Sequence, residues 1–391
     1  MSEKQMTFAA MPLDAESRSY ALVAGSREGM KTLLGSRTDQ LRRRIDAQEW
    51  AVKPETLCLI ADEGAEISLA EDDAQAPQTL AGWTAKLLFL RYQAGLSGWT
   101  LLPCAPILHN GAHLQEAVIA RAVAWKLPGA FLQWLVTENA FLSTMTDCAE
   151  WLIETDRPIP VPEVEDAVRY AHDLTPYARR KQWMLGGAGV LTAAVGGLCA
   201  LNTVGAVMRD GDFRALLGKA LTEEIMPGLS LGREEGLRYA ARVCAYLENA
   251  CGEETWPGMG ENLLARFVGC VLPALAAYEK ENAVLPPCLC FALSALIMLY
   301  AGVRRNAAGD YVLPTQEGEL PVLESEYALA AFSHMSCDMP PESLAYAALS
   351  DRELWGCDLR EIDGLEERVT EQLRDMQLLG ARGAMQRAAA L

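Results

Sequence analysis

The N-terminal part of the sequence alternates between short apolar runs and amphipathic stretches. The runs at 55–60 and 99–104 are too short for stable helices and are flanked by proline, glycine or acidic residues, so each predicts a buried strand. Apolar residues spaced three and four apart predict helices at 79–94, 115–125 and 131–138. Strands that alternate with helices are typical of an open α/β sheet. The pattern therefore predicts an α/β domain over residues 1–156.

After Asp156 the pattern changes. The segment RPIPVPEVED contains three prolines in ten residues and predicts an extended connector, which we place at 157–174. The remaining sequence, 175–391, shows helical periodicity without a convincing strand. It predicts an all-helical domain with helices at 183–208, 211–228, 232–250, 258–281, 286–303, 323–334 and 365–389.

Two uncharged stretches, 182–208 and 283–303, are long enough to raise the question of a membrane span. The first contains six glycines, and the second is interrupted by Pro286 and Pro287. Helices packed inside a helical domain are apolar all round for the same reason as membrane spans. Both stretches are therefore interpreted as core helices, and no membrane association is predicted.

Composition narrows the function classes. The chain has 391 residues, 51% of them hydrophobic and 22% charged, which excludes a disordered protein. The formal net charge of −18 argues against nucleic acid or an anionic membrane surface as a partner, because both require clustered Lys and Arg. The N-terminus MSEKQMTF lacks the features of a signal peptide, so the eleven cysteines are interpreted as reduced thiols of a cytoplasmic protein.

No metal site is predicted. Cys288 and Cys290 have no second cysteine pair or histidine nearby in sequence and are interpreted as buried apolar side chains. His109 and His113 would share one face of a helix, but the Asn110-Gly111 pair between them is typical of a turn. A surface turn is therefore favoured there over a metal site.

Motifs for phosphate binding and nucleophilic catalysis are missing or misplaced. The first 100 residues contain no G-x-G-x-x-G turn, and the chain contains no G-x-x-x-x-G-K-[ST] loop, so no cofactor-binding residue is assigned. The string G-x-S-x-G at 228–232 lies between two predicted helices. A nucleophile elbow needs a strand before the serine and a helix after it, so this string predicts an interhelical turn instead.

The segment TPYARRK at 175–181 is the main candidate for chemistry. It places Arg179, Arg180 and Lys181 beside the predicted domain boundary of an otherwise acidic chain. Ligands often bind in clefts between domains, where a lysine can donate or accept a proton. The alternative is a solvated basic turn that faces acidic neighbours, and this feature alone leaves both interpretations open.

Longer stretches of the sequence resemble a known family. The segments AGLSGWTLLPCAPILHNGAHLQEAVIARAVAWKLP, TPYARRKQWMLGGAGVLTAAVGGLCALNTVGAVMRDGDFRALLGKALTEEIMPGL and VLPALAAYEKENAVLPPCLCFALSALIMLYAG resemble the mannitol dehydrogenase family, most closely its tagaturonate reductase (altronate oxidoreductase) branch. The resemblance covers most of residues 50–303. It implies a Rossmann domain followed by a helical domain of the 6-phosphogluconate dehydrogenase type. It also implies NAD as cofactor and a sugar acid or polyol as ligand.

The family's catalytic pattern K-x-x-x-L-N-G-A-H is only partly retained. By resemblance, Lys181 is the general acid or base, and Leu185 also fits the pattern. The family's asparagine falls on Gly186 and its histidine falls on Gly189, so both polar partners are missing. The string at 110–113 repeats the letters N-G-A-H but has no lysine at the required spacing.

Other parts of the family's active site also differ. A second family asparagine falls on Ser143, while Asp147 matches and Cys148 replaces an arginine. The family's first βαβ unit, with its glycine-rich turn, is expected to be absent, which leaves a shortened Rossmann-like domain. The threonine-rich turn after the next strand corresponds to Asp-Glu-Gly at 62–64, where carboxylates would repel a pyrophosphate. A substrate-contacting stretch is replaced by NACGEETWPG at 249–258.

Two functions remain open from the sequence. One is a divergent family member without NAD-dependent dehydrogenase activity, retained for ligand or partner binding. The alternative is an active NAD(H)-dependent oxidoreductase acting on a hexuronate or polyol, with Lys181 as the general acid or base. The missing hydrogen-bond donors favour the first, because one such donor is typically worth about 10²–10³ in rate.

Overall fold

The structure is a computed structural model of the chain. It describes residues 73–391 except 149, 160–167, 250, 256, 257, 259, 316 and 317, and before residue 73 it describes Gln48 and three strands. The chain divides into two compact units, Met1–Ala178 and Arg179–Leu391. Each unit contains strands as well as helices.

The first unit is built on a five-stranded sheet. Its strands, in sheet order, are β1 (Thr7–Pro12), β2 (Tyr20–Gly25), β3 (Leu57–Ala61), β4 (Thr100–Pro103) and β5 (Ala140–Phe141). β1 pairs antiparallel with β2, whereas β2, β3, β4 and β5 are mutually parallel. The strands predicted at 55–60 and 99–104 are confirmed as β3 and β4. A mostly parallel sheet places the carboxyl ends of its strands at one edge, where ligands of α/β proteins bind.

From residue 73 onward, three described helices accompany this sheet, as predicted: α1 (Leu80–Gln93), α2 (Asn110–Ala124) and α3 (Gly129–Glu138). α1 begins where the Thr79 hydroxyl accepts a hydrogen bond from the backbone N–H of Gly82 at 3.0 Å. α2 begins earlier than predicted, because Asn110 and Gly111 form its first turn rather than a separate turn. Gly111 has no side chain where the backbone of Ser143 approaches, since a Cβ there would lie 2.6 Å from the Ser143 nitrogen.

A second, smaller sheet follows in the same unit. It consists of β6 (Thr144–Asp147), β7 (Glu150–Glu154) and β8 (Val168–Ala171), with β8 parallel to β7. The sequence did not predict these strands, and the assignment of 157–174 as an extended connector was wrong at 168–171. Strands of four or five residues are too short to show a clear alternation of apolar and polar residues. The proline-rich residues 160–167 lie outside the described residues.

The second unit is predominantly helical. Its helices are α4 (Thr175–Arg180, which begins in the first unit), α5 (Gly187–Leu198), α6 (Val204–Arg209), α7 (Gly211–Lys219), α8 (Arg233–Asn249), α9 (Leu263–Arg266), α10 (Leu272–Asn282), α11 (Pro287–Tyr300), α12 (Glu326–Ser333), α13 (Pro341–Leu349), α14 (Arg352–Trp355) and α15 (Leu365–Ala390). Within the described part of this unit, three π-helical segments interrupt the regular helices: π1 (Lys181–Gly186), π2 (Ala220–Ile225) and π3 (Phe267–Val271). Short 3₁₀ turns lie at Met226–Gly228 and Leu359–Glu361.

Two details of the all-helical prediction were wrong. The helix predicted at 183–208 ends at Leu198, because Ala200 adopts a positive φ of 53° and the Thr203 side chain caps a new helix at the N–H of Ala206. The sequence also predicted no strand after the connector, whereas residues 304–321 form a small antiparallel sheet. Its strands are β9 (Arg304–Arg305), β10 (Tyr311–Thr315) and β11 (Gly318–Pro321).

The uncharged stretches form core helices, as predicted. In α11, twelve residues are buried, among them Cys288 and Cys290. Within the part of the chain that the structure describes, we find no helix with the length and apolar composition needed to cross a membrane. The string at 228–232 leads into α8 as the predicted interhelical turn.

Candidate functional site

Two π-helical segments of the second unit contact each other. π1 begins at Lys181, and its next residue, Gln182, donates a side-chain hydrogen bond to the carbonyl of Gly269 in π3 at 2.9 Å. A π-helical turn inserts an extra residue and so changes which side chains face a neighbouring helix. Such turns occur frequently at functional sites. π1 and π3 therefore set the positions of the side chains where the two segments meet.

The position of the family's asparagine, Gly186, lies against Cys270 of π3. A Cβ built on Gly186 would lie 2.6 Å from the sulfur of Cys270 and 3.1 Å from its Cβ. Real side-chain carbons do not approach a neighbour this closely without displacing it. The two segments can pack at this distance only because residue 186 is glycine.

The position of the family's histidine, Gly189, faces an arginine. A Cβ on Gly189 would lie 2.7 Å from Nη2 of Arg266, at the end of α9. The guanidinium group therefore lies directly over the bare backbone of Gly189. Together, Cys270 and Arg266 fill space beside the two positions where the family carries polar side chains.

A cavity of about 200 Å³ opens at the same place. It lies entirely within the second unit. Its polar lining comes from Arg266, Glu254, Cys251 and Thr192, and the rest of the wall is apolar or glycine. The lining residues are Leu185, Gly186, Gly189, Thr192, Val204, Leu247, Cys251, Glu254 and Arg266. The Thr192 hydroxyl is engaged within its helix, donating to the carbonyl of Ala188 at 2.7 Å.

The replaced stretch at 249–258 contributes to this cavity. Its described residues are tied to the start of α6, where the N–H of Val204 donates to the carbonyl of Glu254 at 3.0 Å and the N–H of Gly205 donates to that of Gly252 at 2.9 Å. A Cβ on Gly205 would lie 2.9 Å from the Gly252 oxygen, so this close approach also depends on glycine. These bonds hold Cys251 and Glu254 at the wall of the cavity.

The position of Arg266 depends on a carboxylate from another part of the unit. Glu324 accepts hydrogen bonds from the backbone N–H of Leu264 at 2.8 Å and from the Tyr300 hydroxyl at 2.9 Å. Glu324 thus caps the N-terminus of α9, whose preceding residue, Asn262, has a left-handed conformation and no side-chain cap of its own. Burial raises the pKa of Glu324, although these hydrogen bonds oppose the shift.

The cysteines near the cavity are neutral thiols. Burial raises the pKa of Cys270 above its ordinary value, and the positive charge of Arg266 only partly offsets this. The pKa of Cys251 is raised by burial and, secondly, by the negative charge of Glu254. Because thiolates rather than thiols are nucleophiles, neither cysteine has the properties of a catalytic nucleophile. They act as small, weakly polar wall residues.

The basic segment identified in the sequence divides into separate roles. Arg180 is buried: its guanidinium lies 3.9 Å from the ring centre of Tyr239 and 3.5 Å from a carboxylate oxygen of Glu235. Arg179 lies over the ring of Trp183 at 5.9 Å. Lys181 is half-buried at the start of π1. Arg180 therefore packs the helical unit together, and Lys181 stays the candidate for proton transfer.

The first unit holds the other candidates from the sequence. Ser143 and Asp147 are both buried at the ends of β6. Asn110 is also buried, and its side-chain amide donates to the carbonyls of Ala105 and Thr144 at 2.9 Å and accepts from the N–H of Thr144 at 2.9 Å. Asn110 thus joins the start of α2 to the start of β6, which is a structural role.

No metal centre emerges among the described residues. Nowhere in that part of the chain do three His, Cys, Asp or Glu side chains come together as metal ligands would. His109 precedes the first residue of α2 and His113 lies in its first turn, and both side chains are exposed. The turn at 62–64, predicted to oppose a pyrophosphate, lies outside the described residues.

The sequence alone did not identify Arg266, Cys270, Cys251 or Glu254 as parts of one site. For Cys251 and Glu254, the signal in the sequence is the stretch 249–258, which replaces a substrate-contacting stretch of the family. Arg266 and Cys270 meet Gly189 and Gly186 only through packing of helices about 80 residues apart, and no local pattern encodes that contact.

Comparisons with known proteins agree with this architecture. Residues 30–161 match the model of the mannitol dehydrogenase Rossmann domain. The chain is 30% identical over 352 residues to an altronate oxidoreductase of Yersinia enterocolitica, covering 79% of this chain and 71% of that protein. It is 32% identical over 359 residues to an altronate oxidoreductase of Klebsiella pneumoniae strain 342, covering 81% and 72% of the two chains.

Solved structures share the fold. A substrate-free D-sorbitol dehydrogenase superposes with a TM-score of 0.68 at 16% identity, covering 87% of this chain and 76% of that one. A ternary complex of Pseudomonas fluorescens mannitol 2-dehydrogenase with NAD and D-mannitol gives a TM-score of 0.56 at 15% identity, with the same coverage. The fold expected from the sequence, a Rossmann-like α/β domain followed by a helical domain, is thereby confirmed, and the chain belongs to the mannitol dehydrogenase family.

Proposed function

We propose that this chain is a family member that does not catalyse NAD-dependent hydride transfer and that binds a small ligand in its helical unit. The observation that carries the proposal is the replacement at Gly186 and Gly189. Cys270 and Arg266 occupy space that the missing asparagine and histidine side chains would need, so either side chain fits only if its neighbour moves. A dehydrogenase needs such donors to stabilise the developing alkoxide, each worth about 10²–10³ in rate.

The cofactor end of the first unit supports the same proposal. β3 is a central parallel strand that ends at Ala61, and the sequence continues with Asp62 and Glu63, which lie outside the described residues. The solved mannitol 2-dehydrogenase is a complex with NAD, which carries a pyrophosphate, and Rossmann proteins hold this group beyond the carboxyl ends of such strands on bare glycine backbone. Two carboxylates in sequence at this point do not fit that group, so the proposal assigns no residue to NAD.

We expect no oxidation of NADH when the purified chain is mixed with tagaturonate, and no difference between the wild type and Lys181→Ala. The physical reason is that the family's asparagine and histidine positions beside Lys181 are Gly186 and Gly189, which have no side chains. The measurement is NADH absorbance over time, together with calorimetric titration of NADH into the protein. The altronate oxidoreductase of Klebsiella pneumoniae, assayed in parallel, is the positive control. Calorimetric binding of NADH with turnover that Lys181→Ala abolishes would instead establish the alternative, an active oxidoreductase with Lys181 as general acid or base.

A further inference from the structure

We propose that the cavity beside Gly189 binds a small monocarboxylate of three or four carbons that carries a hydrogen-bond donor next to its carboxylate. This inference rests on the proposed function, because it specifies the ligand of the same helical unit. It draws on the volume of the cavity, the position of Arg266 and the opposite charge of Glu254. The first step is the size of the ligand.

The cavity is too small to enclose a six-carbon sugar acid. A cavity of about 150 Å³ accommodates benzene, so the 200 Å³ here corresponds to about eight non-hydrogen atoms. A six-carbon aldonate has about 13 such atoms, whereas glycerate and serine have about seven each. Ligand sites for larger molecules typically enclose about 300–1,000 Å³. The volume therefore favours a three- or four-carbon ligand.

Arg266 defines the end of the cavity that takes an anion. Its Nη2 lies beside the bare backbone of Gly189, and both residues line the cavity. A guanidinium carries five N–H donors in a planar fork, so it can hold a carboxylate while keeping other contacts. Such charge-assisted pairs are among the stronger hydrogen bonds in proteins. The glycine that replaces the family's histidine thus leaves room for this cation at the cavity wall.

Glu254 restricts which anions fit. Glu254 also lines the cavity, and burial keeps the Cys251 thiol beside it neutral. The lining then holds one positive and one negative side chain, so a dianion such as phosphate would meet repulsion from Glu254. A hydroxyl or ammonium group next to the ligand's carboxylate can donate to Glu254. The apolar remainder, including Val204 and Leu247, suits a short carbon chain between these two ends.

The test is calorimetric titration of the full chain with D-glycerate, L-serine, propionate, glycerol and D-altronate. We expect D-glycerate or L-serine to bind, and the pair of probes shows whether the donor is a hydroxyl or an ammonium. Propionate lacks the donor and glycerol lacks the carboxylate, so both are expected to bind at least about 10-fold more weakly. D-altronate is expected not to bind because of its size. Absence of binding by both D-glycerate and L-serine, or binding of D-altronate with equal affinity, would overturn the inference.

Variants connect the binding to Arg266. Arg266→Met keeps most of the side-chain volume and is expected to weaken binding by about 10- to 100-fold, with Arg266→Lys in between. Gly189→Ala keeps every charge but forces Nη2 to move, so it is expected to weaken binding even if Arg266→Met does not fold. Arg238→Gln is the matched control, because Arg238 is exposed and paired with Glu234 outside the cavity. Unchanged affinity in both Arg266→Met and Gly189→Ala would contradict the inference, whereas NADH turnover would contradict only the proposed function.

Discussion

Gly186→Asn is expected to lower the free energy of unfolding by about 2–3 kcal/mol, since inserting atoms into a packed contact typically costs about 1–3 kcal/mol and π1 and π3 leave little room to adjust. The new Cβ would meet both the sulfur and the Cβ of Cys270. The higher helix propensity of asparagine offsets only about 0.5 kcal/mol or less of this cost. Urea denaturation followed by circular dichroism measures the difference.

Gly189→His is expected to cost less, about 1 kcal/mol, because the group in the way is the flexible end of Arg266, which can turn aside. The contrast between the two positions is part of the prediction. It follows from what each added side chain meets: a short cysteine fixed to a helix in one case and a long, mobile arginine in the other. Equal costs at both positions would show that the packing described here is not what limits them.

Compensating substitutions test whether these contacts are the cause. Gly186→Asn combined with Cys270→Ala is expected to recover at least about 1 kcal/mol relative to the sum of the two single changes, as contacting residues typically couple by about 0.5–3 kcal/mol. Gly186→Asn with Cys244→Ala is the control. Cys244 lies in α8 and is not among the nearest neighbours of a Cβ built on Gly186. Additive energies for the Cys270 pair would mean that the contact does not set the cost.

The repaired pair, Gly186→Asn with Gly189→His, is expected to remain inactive with NADH and tagaturonate. It restores the polar residue types of the family's pattern beside Lys181, but the carboxylates that follow β3 in sequence are unchanged. NADH turnover in this variant would show that the first unit still binds the cofactor. The inactivity expected of the wild type would then be caused by the helical unit alone.

How much of this could be predicted from sequence depends on the range of the interactions. α11 was predicted almost to the residue, because a long apolar run after Pro286 and Pro287 specifies both its start and its burial. The break after Leu198 was missed although Asn202 and Thr203 offered a capping signal, since the apolar pattern continues through it. β9 to β11 were missed because each is short and lies among polar residues.

The site was predictable only in part for the same reason. Resemblance identified Lys181, Gly186 and Gly189, and it showed that two polar groups were missing. It did not show what had taken their place, because the extra residue of a π-helical turn has no sequence signature and shifts the register of every later contact. Whether Gly189 faces empty space or Arg266 is decided by how α5 and α9 pack, which is a property of the folded unit.

Glu224→Ala is expected to lower the free energy of unfolding by about 2–4 kcal/mol, because two buried backbone N–H groups would lose their partner and each typically costs about 1–3 kcal/mol. Glu224 is 2% exposed and accepts hydrogen bonds from the N–H groups of Cys288 and Leu289, both at 2.9 Å. These are orphan donors at the start of α11, where Pro286 provides no side-chain cap. Thermal or urea denaturation measures the loss. Glu223→Ala, one position earlier and not bonded to α11, is the control.

The same carboxyl predicts a specific dependence on pH. Burial raises the pKa of Glu224 above its ordinary value of 4.5, with the hydrogen bonds from Cys288 and Leu289 opposing the shift. Between the unfolded and the raised folded pKa, the folded state binds more protons than the unfolded state. The free energy of unfolding therefore falls as pH rises through that window. Above it, the ionised carboxylate contributes no further change.

Glu224→Gln isolates this contribution, because the amide keeps an acceptor oxygen but does not titrate. We expect the wild type to lose stability relative to Glu224→Gln as pH rises from about 4.5, and the difference to level off once the folded state has released its proton. Urea denaturation of both proteins at a series of pH values gives the difference directly, and the many other titrating groups cancel in it. A difference that stays constant with pH would mean that the pKa of Glu224 is the same in the folded and unfolded states, so that the hydrogen bonds from the two helix N–H groups offset its burial.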